Sequence, residues 1–484
     1  GPGVTNLITP LQDGMCDGVP MVVLCGQAAT TAPEDAFQFA PAVEMTKPCT
    51  KWSYGIKSAA ELPFVMDYAF YVARNGRPGP VFVDLPKDLQ NQVLSPELIQ
   101  SYTDTKILDT HSDDVGMASL MTAMRDNGDI FKAIRLGYED KSLTFEIVKD
   151  DGVPKLAPVS SSSDRFNADH HPTNRVIWTT NALTGEPEPI TKEGKLDLED
   201  KITKDMLNFI KRAKKPVIIA GQGCNDSVEE LKEFAEKLQI PVTTTLHAMG
   251  CFDERHPLAL NMMGMHGHPT PNFMVQEADL IINVGSRFDD RITGRMPDFV
   301  PGARKAAELG VGGIIHVDIR LTEMAKQIEP HFFVHSTGKQ FLRTMNAALA
   351  KETAIVPETG AWLENMKKLQ AEYPIKIPTF PTINGKTMMS AQRVVTEMNK
   401  QILAANKMDD AIFTTGVGIH QMVAAQLITW TQPRQMLSSG SLGTMGVALG
   451  YCIGAKLANC GKLVIAIDGD GSFNMTFTEL KTVA

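Results

Sequence analysis

Short unbroken apolar runs alternate with stretches of helical periodicity along most of the chain, which predicts parallel α/β units whose strands are buried on both faces. Three blocks emerge. The first has apolar runs at 21–25 (MVVLC) and 81–83 (VFV) around a helix-like stretch from Ala59 to Arg74, and ends near residue 100. The second follows Lys214-Lys215-Pro216 with runs at 217–220, 242–246, 280–284 and 313–318, and closes near residue 350. A Pro-rich passage from Tyr373 to Pro381 leads to the third, with runs at 411–415 (AIFTT) and 463–467 (LVIAI). The expected organisation is therefore a first domain over 1–100, an atypical insert over 101–203, a central domain over 204–350, a linker over 351–380 and a third domain over 381–484. Within the insert the pattern predicts a helix over 115–124 and a strand over 143–148. Residues 151–197, with serines at 160–163 and abundant Pro, Thr and Asn, read as mobile or disordered.

Composition narrows the function classes. A chain of 484 residues admits about three domains, each able to bury its own core. The net charge of −9 comes with no Lys/Arg block interleaved with aromatics, so there is no electrostatic case for nucleic acid. No apolar stretch approaches the roughly twenty residues that span a bilayer. The seven cysteines are scattered without a CxxC pair, which points to a reducing compartment, no structural zinc, and cysteines used as small core residues. Asp169-His170-His171 reads as a solvated loop, because no second ligand cluster lies nearby at metal spacing. The chain opens Gly1-Pro2-Gly3 without an initiator Met, so a targeting peptide would lie upstream of it.

Parallel sheets bind ligands beyond the carboxyl ends of their strands, and the polar candidates fall there. Gly469-Asp470-Gly471-Ser472 follows the run at 463–467. In isolation it reads first as a plain turn; the alternative is half of a metal-diphosphate site, in which the Asp470 carboxylate takes Mg²⁺ together with diphosphate oxygens. In the central block, Gly285-Ser286-Arg287-Phe288-Asp289-Asp290-Arg291 offers backbone amides and two guanidinium groups to a diphosphate. Met263-Gly264-Met265-His266-Gly267 could lie against a flat ring, and Asp318 ends a strand where an acid commonly accepts from sugar or ribityl hydroxyls. Two further glycine loops, 416–421 (GVGIHQ) and 439–446 (SGSLGTMG), allow either simple helix capping or a share in the same site.

Taken together, GPGVTN (1–6), GRPGPVFVDLPKD (76–88), PVTTTLHAMG (241–250), GMHG (264–267), GSRFDDRITG (285–294), TTGVGIHQM (414–422), GSLGTMG (440–446) and IDGDGSFNMTFTEL (467–480) resemble the catalytic subunit of acetohydroxyacid synthase, a thiamine-diphosphate enzyme. The resemblance covers roughly residues 1–100 and 204–484. It implies three doubly wound parallel-sheet α/β domains, pyrimidine-binding, FAD-binding and diphosphate-binding, with the first and third incomplete. It implies decarboxylation of pyruvate on thiamine diphosphate and carboligation to a second 2-keto acid, pyruvate or 2-ketobutyrate, at the start of branched-chain amino-acid synthesis.

By matching positions, Asp470 holds Mg²⁺, Gly471 and Ser472 meet the diphosphate, and Val417, Gly418 and His420 line the cofactor. The Gly443 carbonyl accepts from its 4′-amino group, Met445 props its bent conformation, and Phe37, Gln38 and Lys87 line the substrate approach, these last four side chains forming the catalytic set. FAD, which performs no net redox step in the family, matches Arg77, Leu246, Met263, Gly264, Met265, His266, Gly285, Ser286, Arg287, Asp289, Arg291 and Asp318. The family's catalytic glutamate and second Mg²⁺ ligand fall outside 1–484, so the chain by itself is expected to be inactive. The resemblance further implies a homodimer with the active site between subunits, a regulatory subunit as a further partner, and a mitochondrial or plastid location in a eukaryote or a cytoplasmic one in a bacterium. The sequence departs from the family pattern at Gln222, at Phe39-Ala40-Pro41 and at His335-Ser336-Thr337-Gly338. Two other readings stay open: another flavin-containing carboligase such as glyoxylate carboligase, and a non-catalytic paralogue.

Overall fold

The computed structural model describes residues 2–32, 39–95 apart from 58, 60, 61 and 94, the strands at 145–150, 153–158, 176–180 and 187–188, and 195–484 apart from 321, 322, 324, 352–355, 379–381, 384, 385 and 388. The chain divides into two compact units, 1–171 with 181–184, and 172–180 with 185–484.

In the first unit a parallel sheet has the order β1 (Met21–Gln27), β3 (Pro80–Pro86), β2 (Trp52–Gly55). The central strand β3 is buried almost throughout, as its continuous apolar run requires. Its two faces serve separate cores: Val81 and Val83 pack with Val65 and Ala69 of the helix Leu62–Arg74, and Phe82 packs with Val4 and Leu11 of the helix Pro2–Asp17. A hairpin of β4 (Phe145–Asp150) and β5 (Val153–Pro158) is antiparallel. The strand expected at 143–148 therefore exists, shifted by two residues, while the helix expected at 115–124 lies outside the described residues.

The second unit carries the larger sheet, in the order β10 (Ala259–Met262), β9 (Val242–Thr244), β8 (Pro216–Ala220), β11 (Leu280–Val284), β12 (Gly313–Asp318), β13 (Phe332–His335), β6 (Val176–Thr180), β7 (Pro187–Glu188). All neighbours pair in parallel except β6 and β7. Alternate residues of β8, β11 and β12 feed two cores. Ile218, Ile282 and Ile315 face the helices Lys195–Arg212, Val228–Leu238 and Gly338–Lys351, whereas Ile219, Ile281 and Ile314 face Pro269–Glu277, Pro301–Glu308 and Gly360–Glu372. That is a doubly wound sheet, covered on both faces by period-two strands.

Two expected boundaries move. Residues 151–197 are not wholly irregular: β5, β6 and β7 lie there, and β6 and β7 extend the edge of the central sheet. The stretch expected as a linker holds the helix Gly360–Glu372, whose Trp362 is buried in the second core and donates its indole N–H to Pro216 O at 3.1 Å. An amphipathic helix that covers exposed sheet belongs to the domain it covers.

The remainder of this unit has a short antiparallel pair, β14 (Thr382–Ile383) with β15 (Lys386–Thr387), and a parallel sheet in the order β17 (Met436–Ser438), β16 (Ala411–Thr415), β18 (Leu463–Ile467). Its core, built on Phe413, Val423 and Trp430, takes in Met249 and Met262 from the larger sheet, so the two sheets share one apolar seam. Among the described residues no helix is long and apolar enough to cross a membrane. All seven cysteines are free; Cys49, Cys224 and Cys251 are buried core residues and Cys460 is exposed.

Candidate cofactor site

Three loops converge at the carboxyl edge of β16, β17 and β18. Ser472 opens from the first turn of the helix Asp470–Thr476, is buried, and its Oγ accepts from Gly446 N at 2.8 Å. Thr476 Oγ1 donates to the Gly446 carbonyl at 2.8 Å, so one short helix holds both backbone polar groups of Gly446. Gly446 (φ +85°) and Gly443 (φ +73°) both need the left-handed region, which explains two glycines in the 440–446 loop. Gly416 is wedged against Ser472 and Asp468, where a Cβ would overlap Ser472 Oγ and Asp468 Oδ1.

Asp468 is central to this arrangement. Its Oδ1 lies 3.3 Å from His420 Nε2 and accepts from Gly469 N at 3.0 Å, while its buried Oδ2 has no hydrogen-bond partner among the described residues. The His420 ring packs on Gly469, whose Cβ, if present, would stand 2.7 Å from His420 Nδ1. Val417 and Gly418 continue the wall, Gly471 faces Met445 Cε, and Asp470 and Met445 are exposed at the mouth. A backbone cradle with buried Ser472, the His420 imidazole and one outward carboxylate matches the donors and charge that a diphosphate with Mg²⁺ requires. Among the described residues no three His, Cys, Asp or Glu side chains form a metal cage, so Asp470 is a single carboxylate ligand candidate.

A second array lies at the carboxyl ends of β8, β9, β11 and β12. Gly285 (φ +67°) crosses Gly223 backbone to backbone; a Cβ on Gly285 would come within 2.6 Å of Gly223 Cα, which leaves glycine as the only residue that fits. Asp289 caps the turn Asp290–Thr293, accepting from Arg291 N at 3.0 Å and Ile292 N at 3.3 Å. Gly264 (φ +86°) is gripped by Asn272, which accepts from its N–H at 2.7 Å and donates to its carbonyl at 3.1 Å, and Met265 N donates to Arg291 O at 2.8 Å. The loop 263–267 and the turn 285–291 are thus one surface. On it Met265 and Arg291 are exposed, with Arg291 Nη1 3.6 Å from Met265 Sδ. His266 is held below its usual pKa by burial and by Arg291. Asp318 is buried at the end of β12, its Oδ1 accepting from Arg320 N, and Leu246 packs into the seam between the sheets. The two arrays meet: Arg287 Nη2 donates to Ser441 Oγ at 2.8 Å, so the turn of the larger sheet touches the glycine loop of the smaller one.

Several expected site residues have surroundings of their own. Met263 is buried in the second core and presents no side chain to a ligand, and Ser286 is likewise buried. Arg77 belongs to the first unit, where its guanidinium donates to the Met15 and Cys16 carbonyls at the end of the helix Pro2–Asp17. Lys87 is exposed after β3 in the same unit, and Phe37 and Gln38 lie outside the described residues. Gly416 and Ser441 fall within the two glycine loops expected near the site, whereas Asp468 and Asn272 were not anticipated as site residues. Asp468 carries the same sign that singled out Asp318, an acid directly after an apolar strand.

Two family models match: the thiamine pyrophosphate enzyme central domain over 203–345 and the C-terminal TPP binding domain over 416–484. These matches make 203–345 and 416–484 similar to thiamine pyrophosphate enzyme domains, and the two parallel sheets there fit such domains. The chain is similar along its whole length to acetolactate synthase catalytic subunits. It is 36% identical over 487 residues to the mitochondrial acetolactate synthase of Schizosaccharomyces pombe, covering 100% of this chain and 60% of that protein. It is 36% identical over 486 residues to the mitochondrial acetolactate synthase catalytic subunit of Saccharomyces cerevisiae, 100% and 58%, and 32% identical over 486 residues to the chloroplastic acetolactate synthase 1 of Oryza sativa subsp. japonica, 100% and 60%. The chain thus spans about three-fifths of the length of these relatives.

Proposed function

We propose that the protein is an acetohydroxyacid synthase that decarboxylates pyruvate and joins the fragment to a second pyruvate or to 2-ketobutyrate, using thiamine diphosphate, Mg²⁺ and FAD. The observation that carries this reading is the Arg287–Ser441 contact, which sets a flavin-type turn directly against the diphosphate-type loop. When bound, thiamine diphosphate supplies the nucleophilic carbon and the electron sink for the keto acid. The chain supplies placement. Asp470 takes Mg²⁺ with diphosphate oxygens, and Ser472, His420, Val417, Gly418 and Gly471 cradle the phosphates. The Gly443 carbonyl would accept from the cofactor's amino group and Met445 would pack against the cofactor. Arg287, Asp289, Arg291, Met265, His266, Gly264, Leu246, Gly285 and Asp318 hold the flavin, with Phe37, Gln38 and Lys87 toward the substrate. As in relatives named mitochondrial or chloroplastic, an organellar location belongs to this proposal if the source is eukaryotic, as do a homodimer and a regulatory subunit.

The test is an acetolactate assay on the full-length protein with pyruvate, thiamine diphosphate, Mg²⁺ and FAD. Turnover is expected, with Asp470→Ala lowering it by about 100-fold or more, since a lost charge-assisted metal contact is worth several kcal/mol. Consumption of glyoxylate but not pyruvate would transfer the assignment to a glyoxylate carboligase, and cofactor binding without turnover to a non-catalytic paralogue.

A further inference from the structure

We infer that Asn283 and His316 are positioning residues that turn the Arg287 amide outward, toward an acceptor atom of the flavin nucleotide. This rests on the flavin reading above. Asn283 of β11 and His316 of β12 are partners in the parallel register and share the sheet face of Ile281 and Ile314. In a wall of otherwise apolar positions both are buried, and both reach the same atom: Asn283 Nδ2 donates to the Ser286 carbonyl at 2.6 Å and His316 Nε2 donates to it at 2.9 Å. A carbonyl oxygen has two lone pairs, so Ser286 O is saturated and its direction fixed.

The consequence follows from the trans peptide, in which C=O and the next N–H point oppositely. With Ser286 O locked toward the sheet, the Arg287 N–H points away from it. Among the described residues the amides of Ser286, Arg287 and Phe288 donate no hydrogen bond, and Phe288 sits at φ +53°, a left-handed conformation rare for a bulky side chain. Its ring is pinned edge-on between Phe299 and His316, which holds that conformation beside the outward Arg287 N–H, a donor suited to an electron-rich acceptor. The arrangement is costly in itself: Asn283 Oδ1 and His316 Nδ1 are buried without partners among the described residues. Burial also drives His316 down to about 4, so the ring is neutral with one N–H, committed to the carbonyl. Two buried polar groups spent on one backbone oxygen make sense if the orientation of that peptide is what matters.

The experiment titrates the full-length protein, stripped of flavin, with FAD, read by quenching of flavin fluorescence. Asn283→Leu and His316→Phe are expected to raise the dissociation constant at least tenfold, and His316→Gln, which keeps a donor, to restore most of the affinity. Thermal midpoints without FAD separate this from a general loss of fold. If the core variants do not fold, the surface pair decides: Arg287→Ala keeps the amide and Arg287→Pro removes it, so proline is expected to weaken FAD at least tenfold beyond alanine. Inorganic pyrophosphate and riboflavin as competitors tell whether the acceptor is a phosphate oxygen or a ring carbonyl. Folded variants that bind FAD like the parent overturn the inference alone, as does a proline variant equal to alanine. A parent protein that takes up no FAD overturns the flavin reading, and the inference with it.

Discussion

Alanine in place of Gly416 is expected to weaken thiamine diphosphate binding by about 100-fold or more while the larger sheet stays folded. The backbone of Gly416 lies directly after β16 and makes no demand for a left-handed conformation, so alanine is tolerated by the chain itself. What it lacks is space: the new methyl group would overlap both Ser472 Oγ and Asp468 Oδ1. Neither can yield freely, since Ser472 Oγ accepts from Gly446 N, and Asp468 Oδ1 accepts from Gly469 N and faces His420. One methyl therefore displaces all three loops of the diphosphate site. Overpacking of this kind costs about 1–3 kcal/mol of stability. A loss of about 3 kcal/mol in binding corresponds to an affinity at least roughly 100-fold weaker. Calorimetric titration with thiamine diphosphate and Mg²⁺ reads the effect. Gly450→Ala, in the helix Val447–Ala458 with open space around it, is the control and should bind the cofactor normally. Equal binding by the Gly416 variant and the parent would remove this glycine from the site.

The parts of the fold legible in the sequence were those governed by local pattern. The runs 217–220, 280–284 and 313–318 are strands because apart from Asn283, His316 and Asp318 their residues are apolar or small and both faces are covered, and a buried strand cannot avoid showing that. Short edge elements were not legible. β10, β13 and β17 have three or four residues each, below the length at which periodicity speaks, and β6 reaches the sheet edge only through tertiary pairing. The helix Gly360–Glu372 carries a short apolar stripe, Trp362, Leu363, Met366 and Leu369, and which sheet that stripe covers is set by tertiary packing. At the site, acids and glycines after strands were visible, but not which of them touch. Arg287 meets Ser441 across 154 positions of sequence, and nothing local records such a pairing. Nor was it legible that the Arg77 guanidinium donates to carbonyls at a helix end in the first unit.

Stability of the second unit is expected to depend on pH through two buried groups with opposite signs. His316 is held near 4 by burial, against hydrogen bonding to Ser286 and attraction to Glu323. Above its ordinary 6.5 both folded and unfolded states are neutral and its contribution is full; as pH falls from 6.5 to about 4 only the unfolded state takes the proton, and about 3 kcal/mol is lost. Glu254 behaves in reverse. It is raised to about 8, first by burial and then by Asp253, against the hydrogen bond from Trp430 N. Arg255 and Asp409 pair with each other and with Asp253 at the rim, leaving Glu254 Oε1 enclosed and unpartnered among the described residues. Below its ordinary 4.5 both states are protonated; as pH rises from 4.5 to about 8 only the unfolded state ionises, and about 5 kcal/mol is lost. Between 4.5 and 6.5 the two slopes offset each other, and from 6.5 to 8 only the Glu254 loss remains. Glu254→Gln should therefore gain stability over the parent progressively from pH 4.5 to 8 and reveal the acid-side His316 slope. The gain should be visible because Glu254 N also donates to Trp430 O at 3.0 Å, joining the two sheets at the seam the carboxylate strains when it ionises. Urea midpoints at pH 4.5, 6.5 and 8 for parent and variant give the difference curve directly, and a difference that does not change with pH would mean Glu254 is already ionised in the folded protein at pH 6.5.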